Sequence, residues 1–147
     1  YTAGTHVEMN GALREGREGS SKLRKEIEEF KEVFDKAGYA LPSDTFLFRS
    51  VGDLPFDVAT VGSEFKDKGF VSTTASDEVA RSIGFGLGEK RKIFTIRVPK
   101  GVRVVAPRGP YGQSVKEIVL PPGSRFRVVR VGKRALMGQE ITLEVVP

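Results

Sequence analysis

The chain changes its hydrophobic period at Pro42, and that change limits its fold more than any other feature. Before it, Leu23, Ile27, Phe30, Phe34 and Ala37 recur at spacings of 4, 3, 4 and 3, with Lys, Arg and Glu between them. That is one apolar stripe on a 3.6-residue helix. Ser20 or Ser21 can cap its start, and Gly38 stands where a left-handed residue ends a helix. A shorter helix over Val7–Arg14 precedes it, linked through Gly16 and Gly19. Beyond Pro42 come short runs rich in β-branched and aromatic residues: Thr45–Val51, Gly69–Thr74, Lys92–Val98, Val102–Val105, Glu117–Leu120, Phe126–Val131 and Ile141–Val146. Pro-Lys-Gly, Pro-Arg-Gly-Pro and Pro-Pro-Gly punctuate them as turns. Phe94, Ile96 and Val98 alternate with Thr95 and Arg97, giving one buried and one wet face. A short helix over Asp77–Ile83, capped by Ser76, interrupts the strands. Helices first and strands after predict an α+β domain with a mostly antiparallel or mixed sheet.

At 147 residues, without repeats or low-complexity segments, the expectation is one domain over 1–147 with a core of its own. The absence of cysteine excludes disulfides, thiolate nucleophiles and cysteine-ligated metals, and the lone His6 excludes a multi-histidine metal site. No apolar run approaches the ~20 residues of a membrane-spanning helix. The first residue is Tyr1 rather than Met, which reads as a piece of a longer chain. The net charge of +5 conceals a division. Residues 1–89 carry 11 basic and 16 acidic side chains, whereas residues 90–147 carry 13 and 3. Such asymmetry points toward a polyanionic partner, or else toward strands whose Lys and Arg protect an edge.

Common catalytic signatures are missing: there is no GxxxxGK[ST] phosphate loop, no GxSxG elbow and no HExxH pair. The glycine-rich Gly84–Gly88 follows a helix instead of opening one, so it reads as a loop. Three polar motifs on strands remain. Arg49 sits inside the apolar run Phe46–Gly52; taken alone it is an edge-strand arginine in an ion pair. Ser72, Thr73 and Thr74 end another run and could simply cap the following helix. Glu117 leads into Ile-Val-Leu-Pro-Pro-Gly and by itself is an ordinary strand-end acid.

Taken together and in this order, the motifs resemble the Arg–Ser–Glu class of mono-ADP-ribosyltransferases, which includes many bacterial toxin domains and phage enzymes. Tyr1-Thr2 and Asn10-Gly-Ala-Leu-Arg14 are similar to that family's opening element. Phe48-Arg49 matches its first-motif arginine, Ser72-Thr73-Thr74 its Ser-Thr-Ser motif, and Glu117 with the segment after it the catalytic glutamate. The resemblance covers almost the whole chain. It implies a fold of two roughly perpendicular β-sheets that clasp NAD in a cleft, with the N-terminal helices to one side.

It also implies roles. NAD is the substrate and no metal is needed. Arg49 takes the diphosphate, a match for its forked guanidinium, with Arg14 assisting and Asn10, Tyr1, Gly52 and Thr73 lining the dinucleotide site. Cleavage of the nicotinamide–ribose bond develops an oxocarbenium ion. Glu117 stabilises it, and Ser72 orients that carboxylate. Phe85 is the candidate ring over the nicotinamide.

One departure bears on the acceptor. Many family members carry Glu or Gln two residues before the catalytic glutamate, and here that position is Val115, which can neither accept a proton nor hydrogen-bond an amide. Arginine is therefore disfavoured as acceptor, unless Gln113 takes the role from a bulged loop. Arg108, Tyr111 and Lys116 surround that loop, and Arg125, Arg127, Arg130, Lys133 and Arg134 follow it. Their charge places a nucleic-acid acceptor, structured RNA before DNA, slightly ahead of a protein side chain. A non-catalytic basic nucleic-acid-binding domain of the same fold is the third reading. By the same resemblance the chain is a monomeric C-terminal toxin domain, delivered to act in a target cell's cytoplasm and opposed by an acidic immunity protein.

Overall fold

The apolar stripe folds as predicted into helix α1 (Ser21–Lys36). A computed structural model describes residues 10, 13–14, 21–52, 54, 56–83, 85–107, 116–133 and 138–147. Ile27 and Phe34 of α1 are buried against Phe70, Val105 and Val119, with Phe30 packed beside them. The Phe30 ring meets Phe70 edge-on at 4.4 Å, and Phe34 stacks on Phe70 at 5.7 Å. Each fully buried side chain of this size contributes roughly 1.5–3 kcal/mol. Ala37, expected to extend the stripe, lies beyond the helix and is exposed. The chain turns there because the N–H groups of Ala37 and Gly38 both donate to Val33 O. A Cβ on Gly38 would stand 2.3 Å from Phe34 O, so glycine is required. Arg103 finishes the cap by donating to the carbonyls of Phe34, Asp35 and Gly38.

The strands are β1 (Tyr39–Ala40), β2 (Thr45–Val51), β3 (Glu64–Asp67), β4 (Val71–Thr74), β5 (Lys92–Val98), β6 (Arg103–Val104), β7 (Glu117–Leu120), β8 (Ser124–Val131) and β9 (Gln139–Val146). Helix α2 (Asp77–Ser82) follows β4, its N-cap Ser76 accepting from Val79 N, and a 3₁₀ segment Phe85–Lys90 kinks at Gly88. The sequence predicts neither β1 nor β3, and β4 begins at Val71 rather than Gly69.

β1 and β6 form a small antiparallel sheet, and the other strands form a seven-stranded one in the order β3-β8-β9-β5-β2-β4-β7. All pairings in the large sheet are antiparallel except β5–β9. It is thus two antiparallel groups, β3-β8-β9 and β5-β2-β4-β7, joined through one parallel seam. The expected α+β architecture is present, with sheets of unequal size.

A short connection dictates the sheet's shape. β7 and β8 stand five strand spacings apart, which in a flat sheet is ~24 Å. Only Pro121–Gly123 joins them, and four residue steps reach at most ~14 Å. The sheet must therefore curl until these strands approach. Gly123 takes the left-handed conformation (φ 84°), and its N–H donates to Asp67 O, which ties the end of β3 to the link. The concave interior is the main core, with Leu47, Phe94, Ile96, Leu120, Phe126, Val128 and Leu143 buried together. Arg49 follows Leu47 by two residues and shares its face, so its side chain opens onto the end of this core.

Candidate active site

Three adjacent strands carry the site. Register pairs Phe48 of β2 with Thr74 of β4, and Thr74 with Glu117 of β7. Ser72 precedes Thr74 by two residues and so shares its face, diagonal to Glu117 across the β4–β7 pair. The Ser72 hydroxyl donates to Glu117 Oε2. Arg49 Nη1 donates to the Ser72 carbonyl at 2.6 Å. The sequence-predicted triad therefore meets as one bonded chain, Arg49 to the Ser72 backbone and the Ser72 side chain to Glu117.

Two cavities open beside it, and Arg49 lines both. The smaller, about 190 Å³, is lined by Phe48, Ser50, Ser72, Thr73, Thr74, Ala80, Ile83 and Glu117 with Arg49. The larger, about 480 Å³, is lined by Arg14, Arg49, Leu54, Phe56, Lys66, Asp67 and Lys68. Four cations and one carboxylate make the larger cavity strongly attractive to anions. Burial first, and the Arg14 charge after it, pull the Arg49 guanidinium down to about 10 against the opposing pull of Asp67. It remains charged at neutral pH.

Asp67 is one residue that sequence reasoning missed. Its carboxylate takes Arg14 through a fork, Nε to Oδ1 at 2.8 Å and Nη2 to Oδ2 at 3.2 Å, and Oδ1 also accepts from Gly69 N. Asn10 clamps the next residue, exchanging two hydrogen bonds with the Phe70 backbone at 2.8 and 3.1 Å. The Asn10 amide is thus committed to the fold. A Cβ on Gly69 would stand 2.7 Å from Arg14 Nε and 2.9 Å from Asn10 Oδ1. The only sequence signal for Asp67 was its position two residues before that glycine.

The remaining candidates divide. Thr73 lines the smaller cavity, but its hydroxyl proton goes to Ile118 O at 2.7 Å. Gly52 lies outside both cavities, and a Cβ there would make only ordinary contact with Leu87. Lys116 is exposed and adopts φ 51°, and its carbonyl accepts from Ala75 N just before Glu117. Tyr1, Arg108, Tyr111, Gln113, Val115 and Arg134 lie outside the described residues, as does the Phe85 side chain. Arg125, Arg127 and Arg130 are on β8, with four strands between them and β7 in the sheet order, and Arg127 pairs with Glu144. Arg125 is the register partner of Lys66, which lines the larger cavity. Ser50 was not anticipated: among the described residues its hydroxyl is the one buried side-chain polar atom without a partner. Among the described residues no cluster of three His, Cys, Asp or Glu side chains could hold a metal ion.

Comparison with known proteins places this geometry in context. No curated protein matches the sequence. Among solved structures, Plx2a, an ADP-ribosyltransferase toxin from Paenibacillus larvae, is similar over 96% of this chain and 80% of its own, with 16% identity and a TM-score of 0.73. The C3 exoenzyme of Clostridium limosum is similar over 96% and 79%, with 19% identity and a TM-score of 0.71. Exoenzyme S from Pseudomonas aeruginosa, solved with human 14-3-3 protein beta and bound to Carba-NAD, is similar over 94% and 66%, with 25% identity and a TM-score of 0.70. The family model for the ADP-ribosyltransferase exoenzymes matches residues 1–144. This chain belongs to that family, and is an NAD-dependent ADP-ribosyltransferase.

Proposed function

We propose that residues 1–147 act as one catalytic domain of a delivered toxin, which cleaves NAD at the nicotinamide–ribose bond and passes ADP-ribose to a protein side chain. The observation that carries the site assignment is Arg49, bonded to the Ser72 backbone and lining both cavities. NAD has the same layout, a diphosphate between two nucleoside halves. Nicotinamide riboside fits the cavity with Glu117, the diphosphate fits Arg49 and Arg14, and the adenosine half extends toward Lys66 and Lys68.

The chemistry then follows from the residue types. The C1′–N bond breaks with both electrons leaving on neutral nicotinamide, and the ribose becomes an oxocarbenium ion. The Glu117 carboxylate, held by the Ser72 hydroxyl, stabilises that charge. The unpartnered Ser50 hydroxyl is available to the nicotinamide amide. The acceptor's nucleophile bonds to C1′ and gives up its proton to solvent or a nearby base.

A protein acceptor is preferred to the RNA expected from charge. The arginines that suggested RNA run along β8 away from the Pro121–Gly123 link, and Glu144 neutralises one of them. Exoenzyme S, 25% identical, is recorded in complex with a protein. Incubation with cell extract and NAD labelled on its adenylate phosphate tests the reading. Label that protease removes is expected; label that nuclease removes identifies nucleic acid instead. No label and no nicotinamide release overturns the assignment. Glu117→Gln should lower turnover by ~10²–10³-fold while keeping NAD binding.

A further inference from the structure

Arg91, at 4% exposed, is the least exposed arginine among the described residues. It lies just before β5, outside the set of residues that line the catalytic cavities. Its Nη1 donates to Arg81 O at 2.5 Å and to Ile83 O at 3.3 Å, the carbonyls at the C-terminal end of α2. Its backbone N–H donates to Gly88 O, and its carbonyl accepts from Gln139 N of β9. One residue therefore connects three elements: its side chain holds the end of α2, and its backbone bonds the 3₁₀ segment and β9 at the parallel seam.

The consequence reaches the site through Ile83. That residue and Ala80 form the α2 side of the 190 Å³ cavity, facing Glu117 and Ser72 across it. α2 has only six residues, too few to be stable alone, and its last carbonyls lack helical partners. Where water would otherwise satisfy them and let the end fray, a buried guanidinium does so instead.

We infer that Arg91 is a positioning residue, holding Ile83 and the end of α2 so that this wall closes on the nicotinamide ring. The inference rests on the NAD assignment above, and it concerns one half of the substrate only. An Arg91→Gln variant should raise the inhibition constant of nicotinamide in NAD cleavage roughly tenfold, the order expected when a positioning contact is lost. Binding of ADP-ribose, which lacks the nicotinamide, should stay within about twofold because the 480 Å³ cavity does not touch Arg91. Arg91→Lys, which keeps the charge but not the fork, should fall between.

Equal weakening of both ligands, or no change in either, overturns the inference. If Arg91→Gln does not fold, the Lys variant carries the same comparison. In the wild-type protein nicotinamide alone should slow amide exchange over residues 81–90, and unchanged exchange there counts against it. Wild-type protein that neither cleaves NAD nor binds nicotinamide removes the NAD assignment as well. Normal wild-type cleavage with a silent Arg91 removes this inference alone.

Discussion

Replacing Asp67 by Asn keeps the shape of the side chain and removes its charge, which makes it a clean probe of the Arg14 clamp. The carboxylate is 10% exposed and Arg14 36%, so the pair lies between a buried and a surface ion pair. Breaking a buried pair costs ~3–5 kcal/mol and an exposed one ~0–1 kcal/mol, which places this loss at ~2–3 kcal/mol. An Asn oxygen can still accept from Gly69 N and Arg14 Nε, but its NH₂ group then faces the Arg14 Nη2 donor. For a domain of this size each kcal/mol moves the thermal midpoint by ~2–4 °C, so a drop of ~5–10 °C is expected. The assay is thermal unfolding of the wild type, Asp67→Asn, Arg14→Gln and the double variant. The cycle should return a coupling energy of about 2 kcal/mol, because both single variants break the same pair. A midpoint lowered by less than about 2 °C, or additive single effects, would mean that the fork seen at 2.8 and 3.2 Å contributes nothing to stability.

Three further outcomes follow from the geometry. Arg49→Ala should raise the NAD dissociation constant by ~10–100-fold, the loss of a charge-assisted fork on the diphosphate, read by calorimetry. Because Arg49 sits at about 10, NAD affinity of the wild type should decline above about pH 10. Between that value and the ordinary arginine range the unfolded chain holds the extra proton, so this group's contribution to stability rises with pH while binding falls. A pH-independent NAD affinity through that window would contradict the assignment. Gly138→Ala places a Cβ 2.5 Å from the Arg91 carbonyl at φ 117°, and should lower stability by ~2–3 kcal/mol in urea titration. An unchanged midpoint would show that the β9 approach is looser than it looks.

The strands that carry the triad were legible in local motifs, as with Arg49 in Phe46–Gly52, but each residue alone read as ordinary, and the triad came from the order of the motifs and the family they resemble. Asn10 and Arg14 were legible as a pair, but their work was not. Their partners, Asp67 and Phe70, are more than fifty positions away, and only the folded backbone brings them together. β3 escaped notice because Glu64-Phe65-Lys66-Asp67 holds one apolar residue and stands at a sheet edge. It is identified by its pairing with β8, not by its own composition. The basic half of the sequence does not by itself single out an acceptor. Residues that follow Glu117 in the chain cross the Pro121–Gly123 link to β8, where Arg125 stands opposite Lys66 and Arg127 is paired with Glu144.

The parallel seam has a consequence for how the molecule comes into being. β9 is translated after the other strands of this sheet, yet it lies inside the sheet between β8 and β5. Until it arrives, each antiparallel group exposes an open edge, and the two cannot be joined. The strands that carry Arg49, Ser72 and Glu117 are all synthesised earlier, but the flank of β5 that backs them is unsupported until residues 139–146 dock. A growing chain therefore holds its active-site residues before it holds an active site. Loss of even the last few residues should leave two aggregation-prone halves rather than a weakened enzyme.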